Sequence, residues 1–170
     1  MLAAILIAGG AGPLEKGERA HVARVLDGDT VVMVAPIGRA SEIRLVGIQA
    51  PKLPLGRKGF KKWPLADEAK SALERLTLGK RVQLSYGGRR MDRHGRLLAH
   101  LFTDGTWVQG EMLRLGLARV YSFPDNRALV AEMLAKERPA RAAKRGLWAH
   151  PFYAIRGHAR ARRFIGSFQL

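Results

Sequence analysis

The stretch DGDTVVMVAPIGRASEIRLVGIQAP, residues 27–51, decides the fold of this chain. It opens with an Asp-Gly-Asp turn, which leads into two apolar runs rich in β-branched residues, 31–34 and 43–48. Pro36 and Gly38 lie between the runs, and two such runs joined by Pro and Gly predict a β-hairpin. Arg44 stands inside the second run, so we expect its charge to reach water or an anionic partner.

The composition predicts one globular domain with a polyanionic partner. A hydrophobic fraction of 47% over 170 residues suits a single domain with a real core. The 30 Lys and Arg residues against 14 acidic residues give a net charge of +16. Cationic side chains release counterions when they bind phosphates, so this excess favours nucleic acid over a charge that serves only solubility. The chain has no cysteine, which excludes disulfides and thiolate chemistry.

Residue patterns around the hairpin predict three further strands and three helices. The predicted strands cover residues 21–26, 81–86 and 97–102. The predicted helices cover residues 65–76, 108–117 and 127–144. Pro139 is expected to kink or break the last helix unless it opens a new first turn. Strands without βαβ repetition predict an α+β fold, namely a five-stranded OB-fold Greek-key β-barrel with about three helices.

Two motifs together resemble the staphylococcal nuclease (thermonuclease-like) family. The first is the Asp-Gly-Asp-Thr turn at residues 27–30 with Arg44 in the following strand, and the second is Asp-Arg-His-Gly-Arg at residues 92–96. The elements come in the family's order, and the resemblance covers roughly residues 20–148. It implies the same OB-fold and a calcium-dependent phosphodiesterase site.

The two ends of the chain are set apart from residues 21–148, the predicted OB-fold domain. Residues 1–20 are expected to be a flexible lead-in or a signal-peptide remnant, because 2–8 are apolar and too few to span a membrane. This start favours export to the periplasm or the medium, with a cytoplasmic protein as the alternative. Residues 149–170 form a basic extension, whose end at 164–170 is expected either to continue into a longer protein or to be an edge strand.

Phosphodiester cleavage requires cations beside the phosphoryl oxygens and an activated water. The resemblance implies Arg44 and Arg96 as the two catalytic arginines, whose paired donors suit phosphate oxygens. It implies Asp29 as a catalytic carboxylate and calcium ligand. Arg93 and His94 replace the family's usual Lys-Tyr pair, and both can still donate to a phosphate.

The chain departs from the family at two acidic positions of the calcium site. Gln49 stands where the family has a second Asp, and Lys52 stands where it has the Glu proposed as general base. Gln49 can still offer its side-chain oxygen, and Ala50 its backbone carbonyl, so the predicted metal ligands are Asp29, Gln49 and Ala50. Calcium prefers six to eight oxygen ligands with several carboxylates. Because Lys52 adds a positive charge there, we expect calcium to bind weakly or not at all.

A set of basic and aromatic residues is expected to bind nucleic acid. Lys52 begins a basic loop, residues 51–64, and its ammonium is expected to replace the divalent cation beside a phosphate. Tyr121 and Phe123 fall near the family's base-binding tyrosines, so they are expected to stack on a base or, alternatively, to pack under the third helix. The predicted nucleic-acid-binding residues are Lys52, Arg57, Lys58, Lys61, Lys62, Arg89, Arg90, Arg93, His94, Tyr121 and Phe123.

These features predict a nucleic-acid-binding, thermonuclease-like domain with weak or absent phosphodiesterase activity. Gln49 and Lys52 favour this function, whereas the retained Asp29 and the two arginines keep open an active metal-dependent nuclease for DNA or RNA. A third alternative is an interaction domain for an acidic protein or surface. The expected partner is single-stranded DNA or RNA, bound with little sequence preference and with no role for a membrane.

Overall fold

A computed structural model describes residues 14–154 of the chain. Its strands are β1 (Glu15–Asp27), β2 (Thr30–Ile37), β3 (Ala40–Leu45), β4 (Ile48–Gln49), β5 (Arg81–Tyr86), β6 (Leu97–Thr103), β7 (Thr106–Trp107) and β8 (Arg119–Val120). Its helices are α1 (Ala66–Thr77), α2 (Val108–Arg114), α3 (Val130–Ala142) and a 3₁₀ helix (Gly146–Ala149). Within residues 14–154, no helix has the length and apolar character needed to cross a membrane.

Five of the strands pair into a closed ring. β1 pairs antiparallel with both β2 and β5. β2 pairs antiparallel with β3, β5 pairs antiparallel with β6, and β3 runs parallel to β6, which joins the two ends of the sheet. The predicted α+β, OB-type fold with five barrel strands and three α-helices is therefore confirmed. β4 and β8 form a separate two-stranded sheet beside the ring.

The core fills the ring and the space under the helices. Alternate residues of the strands point inward, and their removal from water is worth about 1.5–3 kcal/mol for each large side chain. The largest fully buried side chains include Ile43, Leu45, Leu84, Leu101 and Leu113. Ala69 and Leu73 of α1 belong to the same core, so this helix is fixed against the barrel.

The turn between β1 and β2 is held by close packing, which positions the two aspartates in it. Gly28 lies between those aspartates, and a Cβ there would come within 2.6 Å of the Ala50 side chain and 2.7 Å of the Ala69 side chain. Any larger residue would push the turn away from α1. The Asp-Gly-Asp turn is thereby pressed against the segment that follows β4.

The element boundaries differ from the predicted ones at several places. β1 begins at Glu15, so residues 15–20 belong to the sheet, where they pair with β5, and not to the predicted lead-in. Residues 15–20 are mostly charged and include a glycine, so they carry no alternating strand pattern; Gly17 lies against the Tyr86 ring, where a Cβ would come within 2.3 Å. Pro139 lies inside α3 without ending it. The predicted signal-peptide remnant at 1–13 and the end of the basic extension, 155–170, lie outside the described residues.

Candidate functional site

Two carboxylates occupy the turn between β1 and β2. Asp29 is fully buried, and its Oδ2 accepts the backbone N–H of Ala50 at 2.8 Å. Its Oδ1 accepts the hydroxyl of Thr30 at 3.2 Å. Asp27 Oδ1 accepts the backbone N–H of Asp29 at 3.2 Å, which closes the turn. The loop after β4 and the turn are therefore joined through the Asp29 side chain.

The ammonium group of Lys52 lies between these carboxylates. Its Nζ is 2.7 Å from Oδ1 and 2.6 Å from Oδ2 of Asp29, and 3.3 Å from Oδ2 of Asp27. The side chain is only 19% exposed. Three carboxylate oxygens thus surround one cation that belongs to the chain itself.

Arg44 supplies the second cation of this cluster. Its Nη2 lies 3.3 Å from Oδ2 of Asp29 and donates to the carbonyl of Ile48 at 2.7 Å. Its Nη1 donates to the carbonyl of Leu45. Arg44 therefore supports the backbone between β3 and β4 as well as the buried carboxylate. Asp27, Asp29, Arg44 and Lys52 carry two charges of each sign, so the cluster is neutral overall.

The two carboxylates of the cluster titrate in opposite directions. Burial by itself raises the pKa of Asp29, but the charges of Arg44 and Lys52 and the bond from Ala50 outweigh it and hold that pKa well below its usual range. Burial and the neighbouring charge of Asp29 raise the pKa of Asp27. Asp29 is therefore the carboxylate that remains ionised, and it depends on its two cations for that state.

Gln49 does not point its side-chain oxygen into this cluster. Its Oε1 accepts from Nε of Arg119 at 3.2 Å and from Nη2 of the same guanidinium at 2.7 Å. Arg119 therefore engages the oxygen that was predicted to bind a metal ion, and the role of Gln49 as a metal ligand stays a prediction. Arg119 lies in β8, which pairs with β4 opposite Gln49.

The donor set does not fit a calcium ion. Calcium requires six to eight oxygen ligands. Both oxygens of Asp29 are bound to Lys52, and the oxygen of Gln49 is bound to Arg119. In the part of the chain that the structure describes, no three His, Cys, Asp or Glu residues are grouped so that they could hold a metal ion. The roles of Asp29 and the Ala50 carbonyl in metal binding stay predictions.

Arg96 is fixed by its own loop. Asp92 Oδ1 accepts the backbone N–H of His94 at 2.8 Å and that of Arg96 at 3.1 Å. The Arg96 side chain donates back to Asp92 Oδ2 through Nε at 2.8 Å and Nη2 at 2.7 Å. Burial by itself raises the pKa of Asp92, but its bonds to Arg96 and His94 outweigh it and lower that pKa. The guanidinium of Arg96 is thus held in one orientation.

One cleft brings most of the predicted site residues together. The predicted residues that line it are Arg44, Gln49, Lys52, Arg57, Arg89, Arg93, His94, Arg96, Tyr121 and Phe123. Asp29 lies beneath it, in contact with Lys52. Among the described lining residues, seven Lys or Arg side chains stand against four carboxylates, so the cleft is positive. Arg39, Ser41 and Asn126 also line it, and no sequence pattern had marked them.

Other predicted nucleic-acid-binding residues lie outside this cleft. Arg90 pairs with Glu15, and its guanidinium lies 4.4 Å from the centre of the Tyr86 ring. Its neighbour Arg89 does line the cleft. Lys62 pairs with Asp67 at the start of α1. Lys58, Lys61, Lys62 and Arg90 are absent from the cleft lining.

Tyr121 and Phe123 form an aromatic pair at the cleft. Their ring centres are 5.0 Å apart, and the rings are nearly perpendicular at 87°. Phe123 is 55% exposed, which disagrees with the alternative that it packs under the third helix. An exposed aromatic ring beside a positive cleft can stack on a base.

Arg119 and Glu137 are residues near the site that sequence reasoning missed. Glu137 is buried in α3, accepts the backbone N–H of Val120 at 2.6 Å and has a pKa raised by burial. It thereby fixes β8, the strand that carries Arg119. A two-residue strand has no measurable alternation, so the sequence offered no signal for either role.

Comparison with known proteins shows the family of the chain. The sequence model described as staphylococcal nuclease homologue matches residues 42–150. Endonuclease YncB of Bacillus subtilis is 29% identical over 132 residues, which is 76% of this chain and 61% of that protein. The SPbeta prophage-derived endonuclease YokF of Bacillus subtilis is 30% identical over 76% of this chain and 44% of its own length.

The Thermonuclease of Staphylococcus intermedius is 28% identical over 69% of this chain and 71% of that protein. The chain thus spans less than two thirds of the first two relatives, YncB and YokF. The family model covers more than half of the 170 residues and includes Arg44, Lys52 and Arg96. The chain belongs to the staphylococcal nuclease homologue family.

Proposed function

We propose that this chain binds nucleic acid in the positive cleft, that the Lys52 ammonium takes the place of a metal ion, and that phosphodiester cleavage is weak or absent. The observation that carries the proposal is the distance of 2.6–2.7 Å from Lys52 Nζ to both oxygens of Asp29. The Lys52 ammonium thus occupies both oxygens of the carboxylate, and Arg44 lies beside one of them, so a metal ion would have to displace a cation that the chain itself supplies.

Electrostatics opposes the entry of a divalent ion beside Lys52. A divalent ion about 6 Å from an ammonium is repelled by about 5–6 kcal/mol at an effective dielectric near 20, before screening. The ion would also compete with Arg44 for Asp29. Lys52, as a cation bound to two carboxylates, does not act as the base that activates a water.

The same cleft suits the backbone of a nucleic acid. Arg93 donates to His94 at 3.1 Å, and neither Arg93 nor Arg39 has an ion pair within residues 14–154. Both guanidinium groups are therefore available to phosphates. Tyr121 and Phe123 add a surface on which a base can stack, which favours single strands over duplexes.

The test is the affinity for a short poly-thymidine oligonucleotide over a range of salt concentrations. Because binding to phosphates releases counterions, the affinity is expected to fall steeply as salt rises. Replacement of Arg93 by Ala is expected to weaken binding and reduce that slope by about one unit, which is the value for one phosphate contact. Affinity that does not change with salt would contradict the proposal.

A metal-dependent nuclease is the second candidate. It is favoured by Arg44 and Arg96, which line the same cleft, and by the relatives named as endonucleases. Cleavage of the oligonucleotide that requires calcium, magnesium or manganese would support it. If the chain neither binds nor cleaves the oligonucleotide, an acidic protein or surface becomes the expected partner of the positive cleft.

A further inference from the structure

The loop that carries Lys52 is closed at its base by one backbone bond. This loop covers residues 51–64 and connects β4 to α1. The backbone N–H of Trp63 donates to the carbonyl of Lys52 at 3.0 Å. The two ends of the loop are therefore tied together at the residue whose ammonium reaches Asp29.

Arg57 stabilises the loop from inside. Its Nε donates to the carbonyl of Pro54 at 2.9 Å, and its Nη2 donates to the carbonyl of Leu53. Its guanidinium lies 3.8 Å from the centre of the Phe60 ring. Leu55 has a φ of 47°, a left-handed conformation that is unfavourable for a side chain with a Cβ. These contacts of Arg57 reach residues 53, 54 and 60, whereas Trp63 at the end of the loop has support from outside it.

That support comes from residues 150–154, which follow the 3₁₀ helix. The Trp63 ring centre lies 5.6 Å from that of Phe152 and 6.4 Å from that of Tyr153, and both contacts are edge-on. The Tyr153 hydroxyl donates to the carbonyl of Pro64. Tyr153 is only 6% exposed, so it is a packed residue and not a loose end.

We propose that Trp63 and Tyr153 are positioning residues, which hold the loop closed so that the Lys52 ammonium stays on Asp29 and the cleft keeps its affinity for phosphates. Lys side chains have several rotatable bonds, so the backbone must be fixed if the ammonium is to stay in one place. The chain of contacts runs from Tyr153 to Trp63 and from the Trp63 amide to the Lys52 carbonyl. This inference rests on the proposed function for its effect on binding, but not for its effect on the loop.

The test is a double-mutant cycle in the full chain. Tyr153→Ala is expected to weaken binding of the poly-thymidine oligonucleotide about threefold to tenfold, the size of effect expected for residues coupled through a shared partner, here Trp63. In a Lys52→Met background, Tyr153→Ala is expected to cause no further loss. Phe102→Ala is the matched control, because it also removes one ring from a pair with a tryptophan, Trp107, away from the cleft. The control is expected to lower thermal stability without a loss of affinity.

Two results would overturn the inference. The first is an equal loss of affinity in the Tyr153→Ala and Phe102→Ala proteins, and the second is an equal loss from Tyr153→Ala with and without Lys52. If the unaltered chain binds no oligonucleotide, the proposed function fails, and hydrogen exchange of the Trp63 amide decides the inference. Faster exchange in Tyr153→Ala than in Phe102→Ala supports the positioning role, and equal exchange overturns it.

Discussion

The Nζ of Lys52 lies 2.6 and 2.7 Å from the two carboxylate oxygens of Asp29, which is fully buried. Asp29 belongs to the turn that opens β2, and Lys52 belongs to the loop after β4, so this contact joins two separate parts of the chain. A cation carried by the chain thus neutralises the carboxylate at which the family resemblance implied a calcium ion.

Loss of the Lys52 charge is expected to destabilise the fold. Lys52→Met leaves Asp27 and Asp29 with Arg44 as their one remaining cation in the cluster, and removal of one partner of a largely buried ion pair costs about 3–5 kcal/mol. We expect the lower end of that range in urea unfolding at neutral pH. The matched control is Lys62→Met, whose ion pair with Asp67 is solvent-exposed and should add little. Equal stability of the two variants would contradict the structural role of Lys52.

Restored acidic residues are expected to create affinity for calcium. The double variant Gln49→Asp, Lys52→Glu removes the ammonium from Asp29 and adds two carboxylates to the lining of the cleft, which is closer to what calcium requires. Calorimetric titration with calcium is expected to show binding by the double variant and little or none by the unaltered chain. In the single variant Gln49→Asp, the new carboxylate is expected to pair with Arg119, so calcium affinity should not rise. A gain of calcium binding in that single variant would contradict this account.

The two cleft arginines are expected to differ in their effect on stability. Arg44→Ala removes contacts to Asp29 and to the carbonyls of Leu45 and Ile48, so it should cost about 3–5 kcal/mol of unfolding free energy. Arg96→Ala removes an ion pair with Asp92 alone and should cost less. Loss of a charge-assisted contact to a phosphate costs about 1.5–3 kcal/mol, so each folded variant should bind the oligonucleotide about tenfold more weakly or worse. Normal binding by both variants would exclude them from the site.

Stability is expected to fall between pH 6.5 and pH 4 because of His100. Burial lowers the pKa of this side chain from 6.5 to about 4, and its Nδ1 has no hydrogen-bond partner in the described structure. As pH falls through this range, the unfolded chain takes up a proton that the folded chain does not, so unfolding becomes more favourable by up to about 3 kcal/mol.

The His100→Leu variant should lose this dependence, as measured by urea unfolding at pH values across the same range. Acid destabilisation from Asp29 begins lower, because its lowered pKa keeps it ionised in the folded chain at a pH where the unfolded chain already binds the proton. An unchanged pH dependence in His100→Leu would show that another group causes the loss.

The sequence predicted the barrel because its strands carry a strong local signal. The β-branched runs on either side of Pro36 and Gly38 predicted the hairpin. The predicted ends of α1 and β5 agree with the observed ends to within one residue. β4 and β8 were not predicted, since a two-residue strand exists only through its partner. Nor did local signals reveal the pairing of Gln49 with Arg119, which are 70 residues apart in the chain.

The chemistry of the cleft was predicted in part. The conflict between Lys52 and a metal site was visible as a charge reversal in the sequence. From the sequence, we predicted that this ammonium lies beside a phosphate. In the structure it binds Asp29, because the turn around Gly28 is packed directly against Ala50. Arg90 was grouped with Arg89 as its neighbour, but Arg89 lines the cleft whereas Arg90 pairs with Glu15 outside it.

The most direct measurement is oligonucleotide binding and cleavage by the unaltered chain in saturating calcium and in excess chelator, at one ionic strength. If Lys52 takes the place of the metal ion, the dissociation constant should be the same under both conditions and the oligonucleotide should stay intact. Binding that is at least tenfold tighter in calcium, or cleavage that the chelator abolishes, would contradict the account.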